Sequence, residues 1–272
     1  MLQDGQFCAG LAHRLHDGLD LRAQFDAGHR LRSKFPPQLL ALGQDCLMRL
    51  PQEVAQLFRR DSGRDVKISF GSSGIFSTQI RNGAPFQMYL SADEEYVLKL
   101  HADGLTRDAG TLYGIGRIVL MAPRTSPLSV DAELKGVAAL LKQGKLQHFA
   151  IANPEHAPYG RRAEEALKHA GLWDALKPKL VLGESVSQAA QFAVGGSAEG
   201  GIVALSLAKS PQMAKLGRYA TIPAAWHAPL RQRMVLLKNA GETAQAFYAY
   251  MQQPVAREVM RRYGFLLSGE SE

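Results

Sequence analysis

The sequence predicts an α/β protein, because short apolar segments of strand length alternate with longer segments of helical periodicity along most of the chain. The chain has 272 residues, of which 46% are hydrophobic and 21% charged. This length and composition suit one large or two medium domains with a buried core, and they exclude a largely disordered chain. Such alternation is typical of mainly parallel sheets covered by helices on both faces.

The first 45 residues differ from the rest. They contain His- and Arg-rich stretches without a strand or helix period, and Pro36 and Pro37 interrupt them. They also lack the apolar region of a recognisable secretory signal peptide. We predict no element before about Leu47 and interpret 1–45 as an atypical segment, disordered or produced by a shifted reading frame or misassigned start. Translating the other frames of the gene tests this interpretation.

The elements after Leu47 are justified by apolar spacing and by the residues that end them. Leu50, Val54 and Phe58 share one helical face, and Gly63 ends that helix. The predicted strands are Val66–Phe70, Tyr89–Leu90, Arg117–Ala122, His148–Asn153, Lys179–Leu182, Gly201–Leu205 and Arg233–Lys238. The other predicted helices lie at 74–80, 92–100, 134–141, 161–170, 186–194, 242–252 and 254–263.

Charge and cysteine content exclude several classes of protein. The chain has 32 Lys and Arg against 25 Asp and Glu, a net charge of +7, and residues 1–45 contribute none of the excess. An anionic ligand, nucleic acid or solubility alone could account for it, but the basic residues are scattered rather than clustered, which disfavours nucleic acid. Two cysteines, Cys8 and Cys46, exclude a disulfide framework and a Cys-rich zinc site. No apolar run is long enough for a membrane-spanning helix.

Candidate chemistry lies where strands lead into helices, because open α/β sheets bind ligands there. Three segments fit: Phe70–Gly74 with its two serines, Asn153–Gly160, and Leu182–Ser187. Each precedes a helix N-terminus, where unpaired amides and a partial positive charge favour anions. The alternative for the serines is simple N-capping. His156, next to Glu155, could suggest a metal or a general base, but no partner stands at the spacing that a metal site needs.

The motifs of common enzymes are absent from the sequence. It contains no G-x-x-x-x-G-K-[ST] phosphate loop, no G-x-S-x-G elbow and no H-E-x-x-H metal motif. The glycine-rich run at 194–201 precedes a strand instead of opening a helix, so a flexible loop is the better interpretation than a phosphate cradle. The sequence therefore gives no sign of an enzyme or of a cofactor.

These segments together resemble a known family. From about Cys46 to Phe265 the chain is similar to the molybdate-binding periplasmic proteins, the substrate-binding components of molybdate ABC transporters. The matching segments are 70–74, 79–80, 83–85, 90–93, 153–156, 158–160, 164–167, 172–173, 178–180, 201–204 and 262–265. Their order and spacing agree over roughly four fifths of the chain, which is more specific than any single motif.

The resemblance implies a two-lobed periplasmic-binding-protein (type II) fold that closes on molybdate or tungstate, with no metal coordinated directly. Its ligand contacts come from neutral N–H and hydroxyl groups, and carried over by position they fall on Ser73, Ser72, Tyr159 and Val186. Tyr159 is expected to contribute mainly its backbone amide. Cys46 stands near the position of a further ligand, where relatives have a hydroxyl residue at the end of an apolar strand.

Two departures from the family pattern stand out. Some members have a tyrosine ligand where this chain has Ala204. At the N-terminus Asp45 and Cys46 occupy the region of a hydroxyl ligand, and a carboxylate would repel a dianion while a thiol is a weak donor. If the first strand is truly missing, the alternative is a non-functional product. A binding protein for another tetrahedral oxyanion such as sulfate is the other alternative.

The resemblance also sets expectations for organisation and partners. Residues 46–116 with 225–272 are predicted to form lobe 1, and 117–224 lobe 2, joined by a two-stranded hinge near Gly114–Arg117 and Thr221–Ala225. The protein is expected to be a periplasmic monomer that delivers its anion to a membrane permease and binds no nucleic acid. A transcription regulator of similar fold would need a helix-turn-helix, which 1–45 does not show.

Overall fold

The computed structural model describes the backbone of Leu39–Gly43 and residues 50–267. Its strands are β1 Leu39–Gly43, β2 Lys67–Gly71, β3 Phe86–Ser91, β4 Thr111–Gly116, β5 Ile118–Pro123, β6 Phe149–Ala152, β7 Leu180–Gly183, β8 Gly200–Ala204, β9 Gly217–Thr221 and β10 Leu230–Leu236. Its helices are α1 Leu50–Ser62, α2 Ser73–Arg81, α3 Glu94–Ala102, α4 Lys135–Lys142, α5 Pro158–His169, α6 Trp173–Leu176, α7 Val186–Val194, α8 Leu205–Ala208, α9 Pro211–Leu216, α10 Glu242–Tyr250 and α11 Pro254–Arg262. Short 3-10 turns lie at Lys177–Lys179 and Ala224–Trp226. Among these described residues no helix has the length and apolar character needed to cross a membrane.

The strands form two five-stranded sheets. Sheet 1 has the order β2-β1-β3-β10-β4, and sheet 2 the order β7-β6-β8-β5-β9. In sheet 1 only β10 runs against its neighbours, and in sheet 2 only β5 does, so both sheets are mainly parallel. The antiparallel strand in each sheet directly follows a passage of the chain from the other sheet.

The expectation of no element before Leu47 is wrong. Leu39–Gly43 is a strand at an interior position of sheet 1, paired in parallel with β2 on one side and β3 on the other. An apolar run of five residues without alternation carries too little periodicity to be recognised as a strand. A strand therefore occupies this position in sheet 1. The interpretation of 1–45 as a shifted frame stays a prediction, and residues 1–38 lie outside the described part.

The chain passes between the sheets twice. The first passage lies at Arg117, between the end of β4 and the start of β5, and the second lies between Thr221 and Leu230. Strands β4 and β9 were not predicted. β4 contains Gly114 and Gly116, residues that weaken a strand pattern. The two passages coincide with the predicted hinge segments, whose motion stays a prediction.

Apolar packing fixes α2 and α3 against sheet 1. A cluster of buried side chains joins the two helices to β3 and β10: Phe76, Ile80, Phe86, Tyr89, Val97, Leu100, Val235 and Leu237. Within it Phe76 and Phe86 meet edge to face, with ring centroids 5.3 Å apart. This packing sets the position of the N-terminus of α2, where the two serines lie.

At the opposite side of sheet 1, α1 and α10 are joined by a phenol–carboxylate pair. The Tyr250 hydroxyl donates to Asp61 Oδ2 at 2.6 Å, and the Tyr250 ring packs edge to face on Phe58. Burial, followed by this hydrogen bond, raises the pKa of Tyr250 to about 12.

Stability is therefore expected to fall as the pH rises from about 10 to 12, because the unfolded tyrosine loses its proton near its ordinary pKa while the folded one retains it. Urea unfolding of wild type and Tyr250→Phe at pH 8 and pH 11 measures this effect. The variant is expected to show the smaller loss at pH 11. Equal losses in the two proteins would contradict the assignment.

Candidate functional site

Three helix N-termini meet at the edge where β1, β2, β6 and β7 end, and we call this place the three-helix junction. It comprises the start of α2 with Ser72 and Ser73, the start of α5 with Tyr159, and the start of α7 with Val186. All four residues are buried. The structure thus brings together four of the five predicted ligand residues, and Cys46 lies outside the described residues.

Backbone contacts tie the three starts together. The Gly74 amide of α2 donates to the His156 carbonyl in the loop before α5, at 3.3 Å. The Asn153 amide at the other end of that loop donates to the Gly183 carbonyl, which ends β7 before α7. The loop 153–157 therefore lies between the other two helix starts. Amides at helix N-termini carry partial positive charge, so their convergence favours an anion.

The serines at the start of α2 do not act as N-caps. Ser72 has the extended backbone of an N-cap residue, but its side chain makes no capping hydrogen bond. Its hydroxyl instead donates to the His156 carbonyl at 2.7 Å. The Ser73 Oγ accepts the Ala92 amide at 3.1 Å, and the Tyr89 hydroxyl donates to the Ser73 carbonyl at 2.8 Å. The capping alternative is therefore excluded for both side chains, and Ser73 is held rigidly by β3 and the loop that follows it.

At the start of α7 the capping interpretation holds for Ser185. Its Oγ accepts the Gln188 amide, and the Gln188 side chain in turn accepts the Glu184 amide at 2.7 Å. This arrangement fixes the first turn of α7, in which the Val186 amide is the predicted ligand donor. Val186 is fully buried and its side chain packs in the core.

At the start of α5, the Tyr159 side chain belongs to a buried hydrogen-bonded chain. Gln232 on β10 donates through Nε2 to the Tyr159 hydroxyl at 2.8 Å, and the Tyr113 hydroxyl donates to Gln232 Oε1 at 2.6 Å. A side chain at Gly116 would meet the Tyr159 hydroxyl and Gln232, at 2.5 and 2.6 Å, so glycine is required there. The hydroxyl of Tyr159 points to β10, which leaves its backbone amide as the predicted ligand group.

Replacement of Gln232 by leucine is expected to lower the free energy of unfolding by about 2 kcal/mol, because two buried tyrosine hydroxyls lose this partner. Urea unfolding measures the loss. Tyr113→Phe removes only one end of the chain and is expected to cost less. A Gln232→Leu protein as stable as wild type would show that these hydrogen bonds contribute nothing net.

His156 contributes both its backbone carbonyl and its ring to the junction. Its Nδ1 lies 3.1 Å from the Ser72 Oγ, and its Nε2 lies 3.3 Å from a carboxylate oxygen of Glu184. Among the described residues no group of three or more His, Cys, Asp or Glu side chains could hold a metal ion. Ala204, where some members of the resembled family have a tyrosine, is buried at the end of β8.

Sequence reasoning missed the residues that connect the two sheets around the junction. Asp93 at the start of α3 pairs with Arg161 in α5, and Gln232 reaches Tyr159 from β10. The two members of each pair are far apart in sequence, so no spacing pattern could have joined them. Only the Asp93 position gave a local signal, since it precedes two glutamates and caps α3 by accepting the Glu95 amide.

The chain is similar to known solute-binding proteins. The family model of the bacterial extracellular solute-binding proteins matches residues 47–266. The molybdate-binding protein ModA of Azotobacter vinelandii is 38% identical over 217 residues, which cover 79% of this chain and 84% of the relative. The ModA of Rhodobacter capsulatus is 37% identical over 218 residues, 79% of this chain and 82% of the relative.

Solved structures give the same result for the fold. The periplasmic molybdate-binding protein of Azotobacter vinelandii superposes with a TM-score of 0.77 and 30% identity, covering 85% of this chain and 99% of that one. The sulfate-binding protein SubI of Mycobacterium tuberculosis superposes with a TM-score of 0.67 over 85% of this chain and 86% of that one, but at 16% identity it supports the fold alone.

The two sheets are therefore the two lobes of a type II periplasmic-binding-protein fold, as predicted, and the precise bounds of the lobes stay a prediction. The matched relatives are binding proteins and not enzymes, which agrees with the expectation from the missing catalytic motifs. Together, the family match over residues 47–266 and relatives above 30% identity show that the chain belongs to the bacterial extracellular solute-binding proteins.

Proposed function

We propose that the protein binds molybdate or tungstate at the three-helix junction and delivers it to an ABC permease for import. The observation that carries this proposal is the convergence of the α2, α5 and α7 N-termini, which the loop 153–157 joins, beside the buried and fixed Ser73. These groups donate hydrogen bonds without a formal charge. They suit a tetrahedral dianion that is desolvated in a closed cleft.

The rigidity of the donors supports selectivity by size. Ser73 is held by hydrogen bonds to Tyr89 and Ala92, and the first turn of α7 is held by its cap, so neither can follow a smaller anion inward. Sulfate would leave donors too far from its oxygens, and each unsatisfied buried donor costs about 1–3 kcal/mol. Phosphate carries a proton at neutral pH and would need an acceptor among these donors.

Calorimetric titration of the protein with molybdate, tungstate, sulfate and phosphate tests the proposal. Molybdate and tungstate are expected to bind with micromolar or tighter affinity, and sulfate and phosphate far more weakly. No molybdate binding at micromolar concentration would overturn the proposal. Tighter binding of sulfate than of molybdate would favour the alternative of a sulfate-binding protein.

We propose a periplasmic location, since the family is extracellular and the ModA relatives are named for molybdate binding. The monomeric state stays a prediction. Closure of the lobes over the anion would present the rims of both lobes together, so that a permease engages the loaded protein preferentially. Uptake of molybdate by cells that lack their own binding protein but carry this one tests the delivery step.

A further inference from the structure

The two lobes touch each other beside the three-helix junction through contacts that do not involve the proposed ligand groups of α5 and α7. On the lobe 1 side the residues come from α2 and α3, and on the lobe 2 side they come from the loop before α5 and from α5 itself. Any separation of the lobes breaks these contacts. Those among them that lie outside the predicted ligand residues can control closure without taking part in recognition of the anion.

The backbone carbonyl of His156 is the first of these contacts. It accepts hydrogen bonds from the Ser72 hydroxyl at 2.7 Å, from the Gly74 amide at 3.3 Å and from the Tyr96 hydroxyl at 3.5 Å. The approach is too close for a larger residue at Gly74, since a Cβ there would lie 2.9 Å from the same carbonyl. The loop of lobe 2 thus fits directly onto the start of α2.

The second contact is a charged pair. Arg161 donates through its Nη2 to Asp93 Oδ2 at 2.9 Å, and its guanidinium lies over the Tyr96 ring, 5.4 Å from the centroid. Asp93 Oδ1 at the same time accepts the Glu95 amide and caps α3, so the carboxylate is already oriented when Arg161 arrives. Only 17% of the Asp93 side chain and 31% of the Arg161 side chain are exposed, so solvent screens the pair less than a surface ion pair.

We propose that Asp93 and Arg161 form an interlobe latch, a pair of positioning residues that hold the lobes closed and set the rate at which bound anion leaves. This inference rests on the proposed function, because it concerns retention of the same anion. Arg161 lies two residues after Tyr159 in the first turns of α5, so the latch directly restrains the helix that carries a proposed ligand amide. The latch stabilises the closed state by the same free energy whichever anion is bound.

The latch is tested with Arg161→Gln, Asp93→Asn and the double variant, in titrations with molybdate and tungstate and in stopped-flow measurements of dissociation. Asparagine retains the N-cap of α3, so Asp93→Asn removes the charge and not the helix start. Lys168→Gln is the matched control, because it breaks the Lys168–Glu164 pair on the same helix, entirely within lobe 2.

Each single latch variant is expected to raise Kd about three- to tenfold, chiefly through faster dissociation, and the double variant is expected to bind no more weakly than the singles. The ratio of molybdate to tungstate affinity stays that of wild type, and Lys168→Gln binds as wild type. Unchanged dissociation in Arg161→Gln, additive losses in the double variant, or a changed anion ratio would each overturn the latch.

Small-angle X-ray scattering separates failure of the latch from failure of the proposed function. If wild-type protein binds no molybdate, the proposed function is wrong, and ligand-free scattering then decides the latch on its own. Arg161→Gln is expected to have a larger radius of gyration than wild type and Lys168→Gln, because its lobes separate more often. Equal radii in the three proteins would overturn the latch.

Discussion

Replacing Ser73 by alanine is expected to weaken molybdate binding by about 10- to 100-fold. A hydrogen bond to a charged group contributes about 1.5–3 kcal/mol, and this hydroxyl cannot be substituted by a neighbour because the residue is fully buried and fixed. The Ser73 oxygen accepts the Ala92 amide, and in the proposed complex the hydroxyl is expected to contact the anion as a donor. The alanine variant retains the N-terminal amides of α2, and weak binding therefore persists.

Ser77→Ala is the matched control for this prediction. Ser77 is a buried serine one turn further along α2, and its hydroxyl accepts a hydrogen bond from Arg81 instead of facing the junction. Calorimetric titration should give this variant the affinity of wild type. Since Ser73→Ala also removes the acceptor of the Ala92 amide, thermal unfolding must first establish that the variant is folded at the temperature of titration. A Kd within about twofold of wild type would remove Ser73 from the ligand set.

Replacing Gly160 by alanine is expected to lower the free energy of unfolding by about 3 kcal/mol, with a fall in Tm of roughly 6–12 °C. A Cβ at this position would lie 2.2 Å from the Ala152 carbonyl oxygen and 2.9 Å from the Asn153 carbonyl carbon. These are backbone atoms at the end of β6, where Ala152 pairs with Gly183 of β7, so they cannot move aside as a flexible side chain could. Relief comes only by lifting α5 from sheet 2.

Gly171→Ala provides the control for Gly160→Ala. Gly171 follows α5, has φ of +69° and would place its Cβ in open space, so alanine there meets only the strain of a left-handed backbone, about 1–2 kcal/mol. Urea unfolding of both variants separates the cost of the steric clash at Gly160 from the cost of the left-handed backbone at Gly171. If Gly160→Ala costs no more than Gly171→Ala, α5 does not need the close approach to β6. Gly160→Ala is also expected to weaken molybdate binding, since it displaces the Tyr159 amide.

Local pattern was sufficient to predict most elements of the fold. Helices α1, α2, α3, α4, α5, α7, α10 and α11 each have an apolar face or clear end signals, and the structure confirms them within a few residues. The strands that escaped prediction lack such signals. β1 is an apolar run of only five residues, and β4 is interrupted by Gly114 and Gly116. In β4, Gly116 is required by a residue that is distant in sequence, because a Cβ there would lie 2.5 Å from the Tyr159 hydroxyl. No local sequence pattern contains this contact.

The candidate site shows the same division between local and distant information. The common location of Ser72, Ser73, Tyr159 and Val186 could be predicted because each lies in a strand-to-helix segment and matches a family position. Their role as ligands stays a prediction. Gln232, Asp93 and Arg161 could not, because their roles depend on how the two lobes meet. The sequence also could not predict which serine caps its helix. Ser185 caps α7, whereas Ser72, in the equivalent position before α2, contacts the other lobe.

The place of β10 in sheet 1 has a consequence for the order of events during synthesis. β4 pairs with β10 and β10 with β3, so β4 has no place in the sheet until residues 230–236 have been made. All strands of sheet 2 lie within the intervening residues 118–221, so its strand pairing needs no later residue. A chain emerging from the ribosome can therefore pair all strands of sheet 2 while sheet 1 still lacks β10 and β4. Lobe 1 begins first in the sequence but completes its sheet last. Truncation before β10 would leave sheet 1 without β10 and β4, the fourth and fifth strands in its spatial order.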